Sequence, residues 1–229
     1  MRYARPPRMA DTNQDTRRIQ RLAVFQAEAK MCTRCREHEG RNLLFVDPKH
    51  GCAQPILARS PTAALGVLVV GEAPNYADSF HPDKSYLTYD SDTDPTGTFM
   101  RTLLIDEAGL QDHEVTSVLF ANAVNCLPAR NRERHPVTVQ QIDLCKPWLV
   151  RLLEDAEIKI VVTMGAKPLR ALDRIERHGL TLAMAAGRVH DWNGRKLLPL
   201  YHAGLLGRIS RNEALQRKDM RALRQYLGR

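Results

Sequence analysis

Ala64-Leu65-Gly66-Val67-Leu68-Val69-Val70, running into Gly71-Glu72-Ala73-Pro74-Asn75-Tyr76, is the stretch on which the fold turns. A strand with one face in water alternates apolar and polar residues. This run is apolar throughout and rich in β-branched side chains, so it is predicted to be buried on both faces as a central strand of a parallel sheet. It ends in a turn that carries a rigid proline and a carboxylate at the strand's carboxyl end, where open α/β sheets place their ligands. The further glycines that would let a backbone approach a pyrophosphate are missing, so the turn is not a dinucleotide fingerprint.

Working outward, Val115 to Val124 and Glu157 to Met164 read as further strands, and Leu197 to Leu200 as a short buried one. Between them lie helical periodicities. Thr98 to Ala108 would bury Phe99, Leu103 and Ile105, and Thr138-x-x-Gln141 opens a capped helix whose apolar face holds Ile142, Leu149 and Leu152. Another helix opens near Lys167-Pro168, and a last one runs from about Asn212 to Leu227. Gly187 to Leu200 reads as a hairpin with Asn193-Gly194 as its turn. Strands alternating with helices in this way imply an α/β fold, a parallel sheet between layers of helices.

Upstream, Ile19, Leu22, Phe25 and Ala29 fall at spacings of three and four and predict a helix over Thr16 to Met31. Residues 1–15 hold arginines, prolines and aspartates without apolar periodicity and read as a mobile basic arm, which leaves 16–229 as a single domain. The formal charge is +8, with arginines crowded at both ends of the chain. Nucleic acid is the leading partner for such a charge, a solvated basic face being the alternative. No apolar stretch is long enough to span a bilayer and no signal peptide precedes the arm, so a soluble, cytoplasmic, nucleoid-associated protein is expected.

Five cysteines in such a protein argue for a metal site or thiols rather than a disulfide framework. Cys32 and Cys35 form a C-x2-C pair at the end of the first helix; Cys126 and Cys145 follow far downstream, with Cys52 left over. Cys145 shares the apolar face of its helix and therefore points inward. Four thiolates suit either a structural zinc or an iron-sulfur cluster, and spacing does not choose between them. One more stretch stands out, Leu200-Tyr201-His202-Ala203-Gly204-Leu205-Leu206-Gly207-Arg208: a histidine leaving the sheet at a strand end, a glycine-bearing loop, then an arginine.

Six segments occur in order: Cys32-x-x-Cys35, Val70-Gly71-Glu72-Ala73-Pro74, Asn122-Ala123-Val124-Asn125-Cys126-Leu127-Pro128, Cys145, Ile160-Val161-Val162-Thr163-Met164-Gly165 and Tyr201-His202-x5-Arg208. Together they resemble the iron-sulfur (family 4) uracil-DNA glycosylases from Cys32 onward. The resemblance implies a three-layer α/β/α sandwich with a four-stranded parallel sheet, and a 4Fe-4S cluster rather than zinc on Cys32, Cys35, Cys126 and Cys145. It also implies hydrolysis of the glycosidic bond of uracil in DNA during base-excision repair, by a protein expected to act as a monomer.

Residue by residue, the resemblance makes Asn122 the reader of the uracil edge and His202 the donor to uracil O2. Glu72, with Gly71, Ala73, Pro74 and Asn75, would position the attacking water and face the sugar. Tyr76 would wall off the 5-position, Tyr86 would stack on the base, and Leu205, Leu206 and Arg208 would engage the duplex and its phosphates. The chain departs from the family at Asn75, where a glycine is usual, at His202-Ala203, where a proline usually follows the histidine, and over Tyr76 to Thr96, where a compact Gly-Arg-Pro-Phe segment is usual. Those departures keep a second reading open, a non-catalytic DNA- or partner-binding module with the same fold and cluster.

Overall fold

The computed structural model describes residues 12–32, 34, 65–73, 94–115, 117–125 and 137–229. The predicted central strand is β1 (Val67–Gly71), buried at every position. It pairs in parallel with β2 (Leu119–Asn122) on one side and β3 (Ile160–Met164) on the other. Beyond β3 come β4 (His190–Trp192) and β5 (Arg195–Leu200), and the order across the sheet is β2-β1-β3-β5-β4. The four strands expected to be parallel are so; the sheet has a fifth, β4, which runs antiparallel to β5 and forms the edge. It is the first arm of the predicted hairpin, closed at Trp192 and Arg195 around Asn193 and Gly194, both with positive φ. That is what a two-residue turn compatible with strand twist demands.

Alternate residues of each strand feed two cores. Leu68, Val70, Leu119, Ala121, Val161 and Leu197 point to one face. Val67, Val69, Phe120, Ile160, Val162 and Leu198 point to the other. The first face is covered by α1 (Thr12–Lys30), and by two helices that follow β2 and β3. These are α4 (Val139–Asp155) and α5 (Ala166–Asp173). The second face is covered by α2 (Pro95–Thr102), the short α3 (Asp112–Val115) and, at the end of the chain, α8 (Glu213–Tyr226). Two short helices, α6 (Leu182–Ala185) and α7 (Leu205–Ser210), complete the set among the described residues. The result is the expected three-layer α/β/α arrangement.

Several boundaries move, for local reasons. α1 begins at Thr12 rather than Thr16, taking in the end of the stretch read as a basic arm. α2 begins at Pro95 rather than Thr98, because Asp94 Oδ1 accepts the Gly97 N–H at 2.8 Å and Pro95 takes the first helical position. It runs on into a π-helical turn, Leu103–Glu107. The second strand is shorter than predicted since Asp112–Val115 is helical. The capping box of α4 forms in full, Gln141 N–H donating to Thr138 Oγ1 and Thr138 N–H to Gln141 Oε1.

Candidate active site

The register of β1 and β2 sets Gly71 beside Asn122 at the carboxyl end of the sheet. Beyond the strands the two chains stay laced: Ala123 N–H donates to Gly71 O at 2.8 Å and Val124 N–H to Glu72 O at 3.0 Å. This fixes Glu72, half-buried, directly after the strand and next to the Asn122 turn. Asn122 is 4% exposed, and among the described residues its Oδ1 has no hydrogen-bond partner; the same holds for Asn125 Oδ1. A Cβ on Gly71 would lie 2.6 Å from Asn122 Oδ1, so glycine is what leaves the amide its place.

His202 follows β5, a parallel strand separated from β1 by β3. β5 stays paired past its end, Gly165 N–H donating to Leu200 O at 2.7 Å, and the chain then turns through Tyr201, His202, Ala203 and Gly204 into α7. The Gly204 N–H donates to His202 Nδ1 at 2.9 Å. An imidazole nitrogen that accepts carries no proton, so the ring is neutral with its hydrogen on Nε2. Burial pushes the pKa of His202 below its ordinary range, the Glu72 carboxylate acting in the opposite sense.

The surroundings of His202 hold it from three sides. A Cβ on Gly204 would lie 2.8 Å from His202 Nδ1 and 3.0 Å from Thr96 Oγ1, which shows the first turn of α2 packed on the same loop. A Cβ on Gly207 would run into the His202 carbonyl, so α7 presses its backbone against the histidine. From below, the buried Gln216 of α8 donates through Nε2 to His202 O at 3.3 Å and to Arg211 O at 2.9 Å. Thr96, Gly204, Gly207 and Gln216 were not singled out in the sequence as supports of this histidine. Only the two glycines left a trace there, and it pointed to a loop.

That loop is in fact helical from Leu205 to Ser210. Gly204 is its extended N-terminal flank, and Gly207 is tolerated inside it because close contact with His202 requires it. Leu205, Leu206 and Ile209 stand 68%, 65% and 72% exposed on its outside. Arg208, expected to hold phosphates, pairs with Glu213 Oε1 at 2.7 Å and lies over the Phe99 ring at 5.3 Å. The arginines that crowd the end of the chain are likewise engaged: Arg211 with Asp219, Arg217 with Asp106 and Glu107, Arg221 with Glu107, and Arg229 with Glu114.

Pro74, Asn75, Tyr76, Tyr86, Cys35, Cys52 and Cys126 lie outside the described residues, as do residues 1–11 of the basic arm. Ala73 follows Glu72 and packs against the first core. Cys145 is buried in that core as predicted, and Cys32, at the end of α1, packs against it. Trp148, one turn on from Cys145, donates its indole N–H to Cys32 Sγ at 3.2 Å. Among the described residues no three potential metal ligands converge. The donor chemistry that is present, two soft sulfurs brought to one face of the sheet by α1 and α4, fits a thiolate-held metal centre.

The buried asparagine, the carboxylate and the histidine all stand at the carboxyl ends of parallel strands, the edge at which open α/β sheets bind their ligands. The family model for the Uracil DNA glycosylase superfamily matches residues 59–227, and the chain belongs to that superfamily. The match spans β1 through α8 and so contains Glu72, Asn122 and His202. Among the described residues no helix is long and apolar enough to cross a membrane.

Proposed function

We propose that this protein is an iron-sulfur uracil-DNA glycosylase that hydrolyses the N-glycosidic bond of uracil in DNA and leaves an abasic site for base-excision repair. Its membership of the superfamily supports a glycosylase acting on DNA. The observation that carries the finer reading is the tautomer of His202, because a leaving base needs a hydrogen-bond donor and Nε2–H is the one the ring retains.

In this reading the uracil nucleotide is flipped out of the stack and its edge meets the Asn122 amide, which can pair with O4 and N3–H. As the bond between C1′ and N1 breaks, its electron pair moves onto the base and charge gathers on O2, where His202 Nε2–H donates. Water, oriented by Glu72 beside the Gly71 turn, adds its oxygen to C1′, and the proton it loses passes through solvent to the uracil anion, which departs as neutral uracil. A neutral imidazole suits this role: it stabilises charge that exists only as the bond breaks, so it contributes to the transition state more than to binding. Leu205 and Leu206 on the outer face of α7 would press into the duplex as the base leaves it. Cys32, Cys35, Cys126 and Cys145 would hold the cluster, which supplies a cross-link between α1, α4 and the segment after β2 rather than any part of the hydrolysis.

The test is an abasic-site assay on single- and double-stranded oligonucleotides carrying one uracil, with thymine-, cytosine- and adenine-containing controls. Strand scission by alkali at the uracil position alone is expected. Tight binding of the same DNA with no abasic sites would overturn the enzyme reading in favour of a binding module.

A further inference from the structure

The contact between Trp148 and Cys32 joins residues far apart in sequence, and nothing in the hydrolysis uses it. The indole N–H of Trp148 donates to Cys32 Sγ at 3.2 Å, a close approach for a nitrogen and a sulfur. The ring is held for this. Its edge-on contact with Phe25 of α1 has centroids 5.7 Å apart at 78°, and the Arg34 guanidinium, next but one to Cys32 in the C-x2-C segment, lies over the ring at 5.5 Å. Trp148 also stands on α4 one turn from Cys145, so a single helix carries one sulfur and the donor to another. Indole is a donor only, so the Cys32 sulfur is the acceptor. The partner its N–H has found is a sulfur of the C-x2-C pair rather than a backbone carbonyl of the kind that serves Trp192.

We infer that Trp148 is a tuning residue of the metal centre, donating a hydrogen bond to the Cys32 thiolate that stabilises the bound cluster and raises its reduction potential. The inference rests on the iron-sulfur reading above. Hydrogen bonds to cluster sulfurs favour the more negative, reduced state, so they raise the potential. Partners of metal ligands typically alter metal retention by about 10- to 100-fold when removed. The Arg34 charge over the indole ring acts in the same direction.

The full chain is tested with two substitutions and one label. Trp148→Phe keeps an aromatic ring against Phe25 and removes the N–H. It should shift the reduction potential to a more negative value, and its visible absorbance should bleach about 10-fold faster or more in a chelator. Phe25→Leu removes the ring contact and keeps the N–H; it should lower the thermal midpoint and leave the potential in place. If Trp148→Phe does not fold, the wild type answers alone. The chain has two tryptophans, and with 15N-indole label the Trp148 signal should move on cluster reduction. Trp192, whose N–H goes to Glu176 O, should not move.

Brown wild type with an unmoved Trp148 signal, or a Trp148→Phe protein with unchanged potential and bleaching, overturns this inference and leaves the cluster assignment standing. Colourless wild type with stoichiometric zinc overturns the cluster assignment and this inference with it.

Discussion

The backbone N–H of Gly204 donates to Nδ1 of His202 across two residues of chain, and this one bond decides which ring nitrogen carries the proton. To become an imidazolium the ring would have to give up that bond and hold a charge in a buried site. The first prediction follows from this. Uracil release should be level through neutral pH and fall on the acid side with a midpoint below 6.5, the ordinary value for histidine. His202→Ala should slow release by about 10²- to 10³-fold with DNA binding nearly intact. Stability follows the same sign: the unfolded chain binds the proton more readily than the folded one, so this group's contribution is present above the ordinary histidine pKa and is lost as pH falls below it. Thermal midpoints of wild type and His202→Ala across that range check the slope.

Asn122 sets up a trade between stability and function. Its Oδ1 is buried with no partner among the described residues, a situation that costs on the order of 1–3 kcal/mol. Asn122→Ala removes the group together with its cost, and is expected to leave the thermal midpoint unchanged or slightly higher while weakening both binding of uracil-containing DNA and turnover. A clear loss of stability would show that the amide is a structural cap.

Gly207→Ala should be costly for a surface helix. The added methyl collides with the His202 carbonyl, which Gln216 holds from the other side, so neither neighbour can yield cheaply. A loss of about 1–3 kcal/mol in urea unfolding is expected, with a parallel loss of excision. Ile209→Ala, on the exposed side of the same helix, should stay within about 0.5 kcal/mol.

Glu107 tests the internal pairing of the basic run. Hydrogen bonding from Arg221 first, then from Arg217, holds its carboxyl below the usual carboxylate range. The stability it contributes is present above the unfolded carboxylate pKa and disappears as pH falls through the lowered one. Glu107→Gln should therefore lower the thermal midpoint at neutral pH and make little difference in acid. It also takes from Arg221 the partner named for it and leaves Arg217 with Asp106, so the dependence of DNA binding on salt should steepen, by about 0.9 in log-log slope for each further phosphate neutralised.

What the sequence made legible, and what it hid, divides along physical lines. The buried strands were readable because parallel strands covered on both faces must be apolar throughout, as Val67 to Val70 are. The Thr138 cap and the Asn193-Gly194 turn were readable because their chemistry is local. Glu72 and His202 stood out at strand ends and Asn122 through the family resemblance, and the register sets Gly71, just before Glu72, beside Asn122. The helix at Leu205–Ser210 was hidden because its two glycines signal a loop, when Gly207 is there for a contact with a neighbour. The arginines looked like a surface for polyanions because their acidic partners, Asp106, Glu107 and Glu114, are about a hundred residues away in the chain. Gln216 gave no sign at all, since its partners are backbone carbonyls reached only once α7 and α8 are folded together.

The packing of α1 bears on where this domain begins. The family match opens at residue 59, well after that helix. Yet Leu22 and Phe25 are buried among the side chains of the first core, Phe25 against Trp148, Ala29 is buried too, and Arg151 reaches back from α4 to Glu28. A chain trimmed to 59–227 would take Leu22 and Phe25 out of the first core and turn their apolar neighbours on α4 to water. Such a fragment is expected to be sticky and short-lived in solution, and a piece that also keeps Thr12 to Lys30 is expected to outlast it.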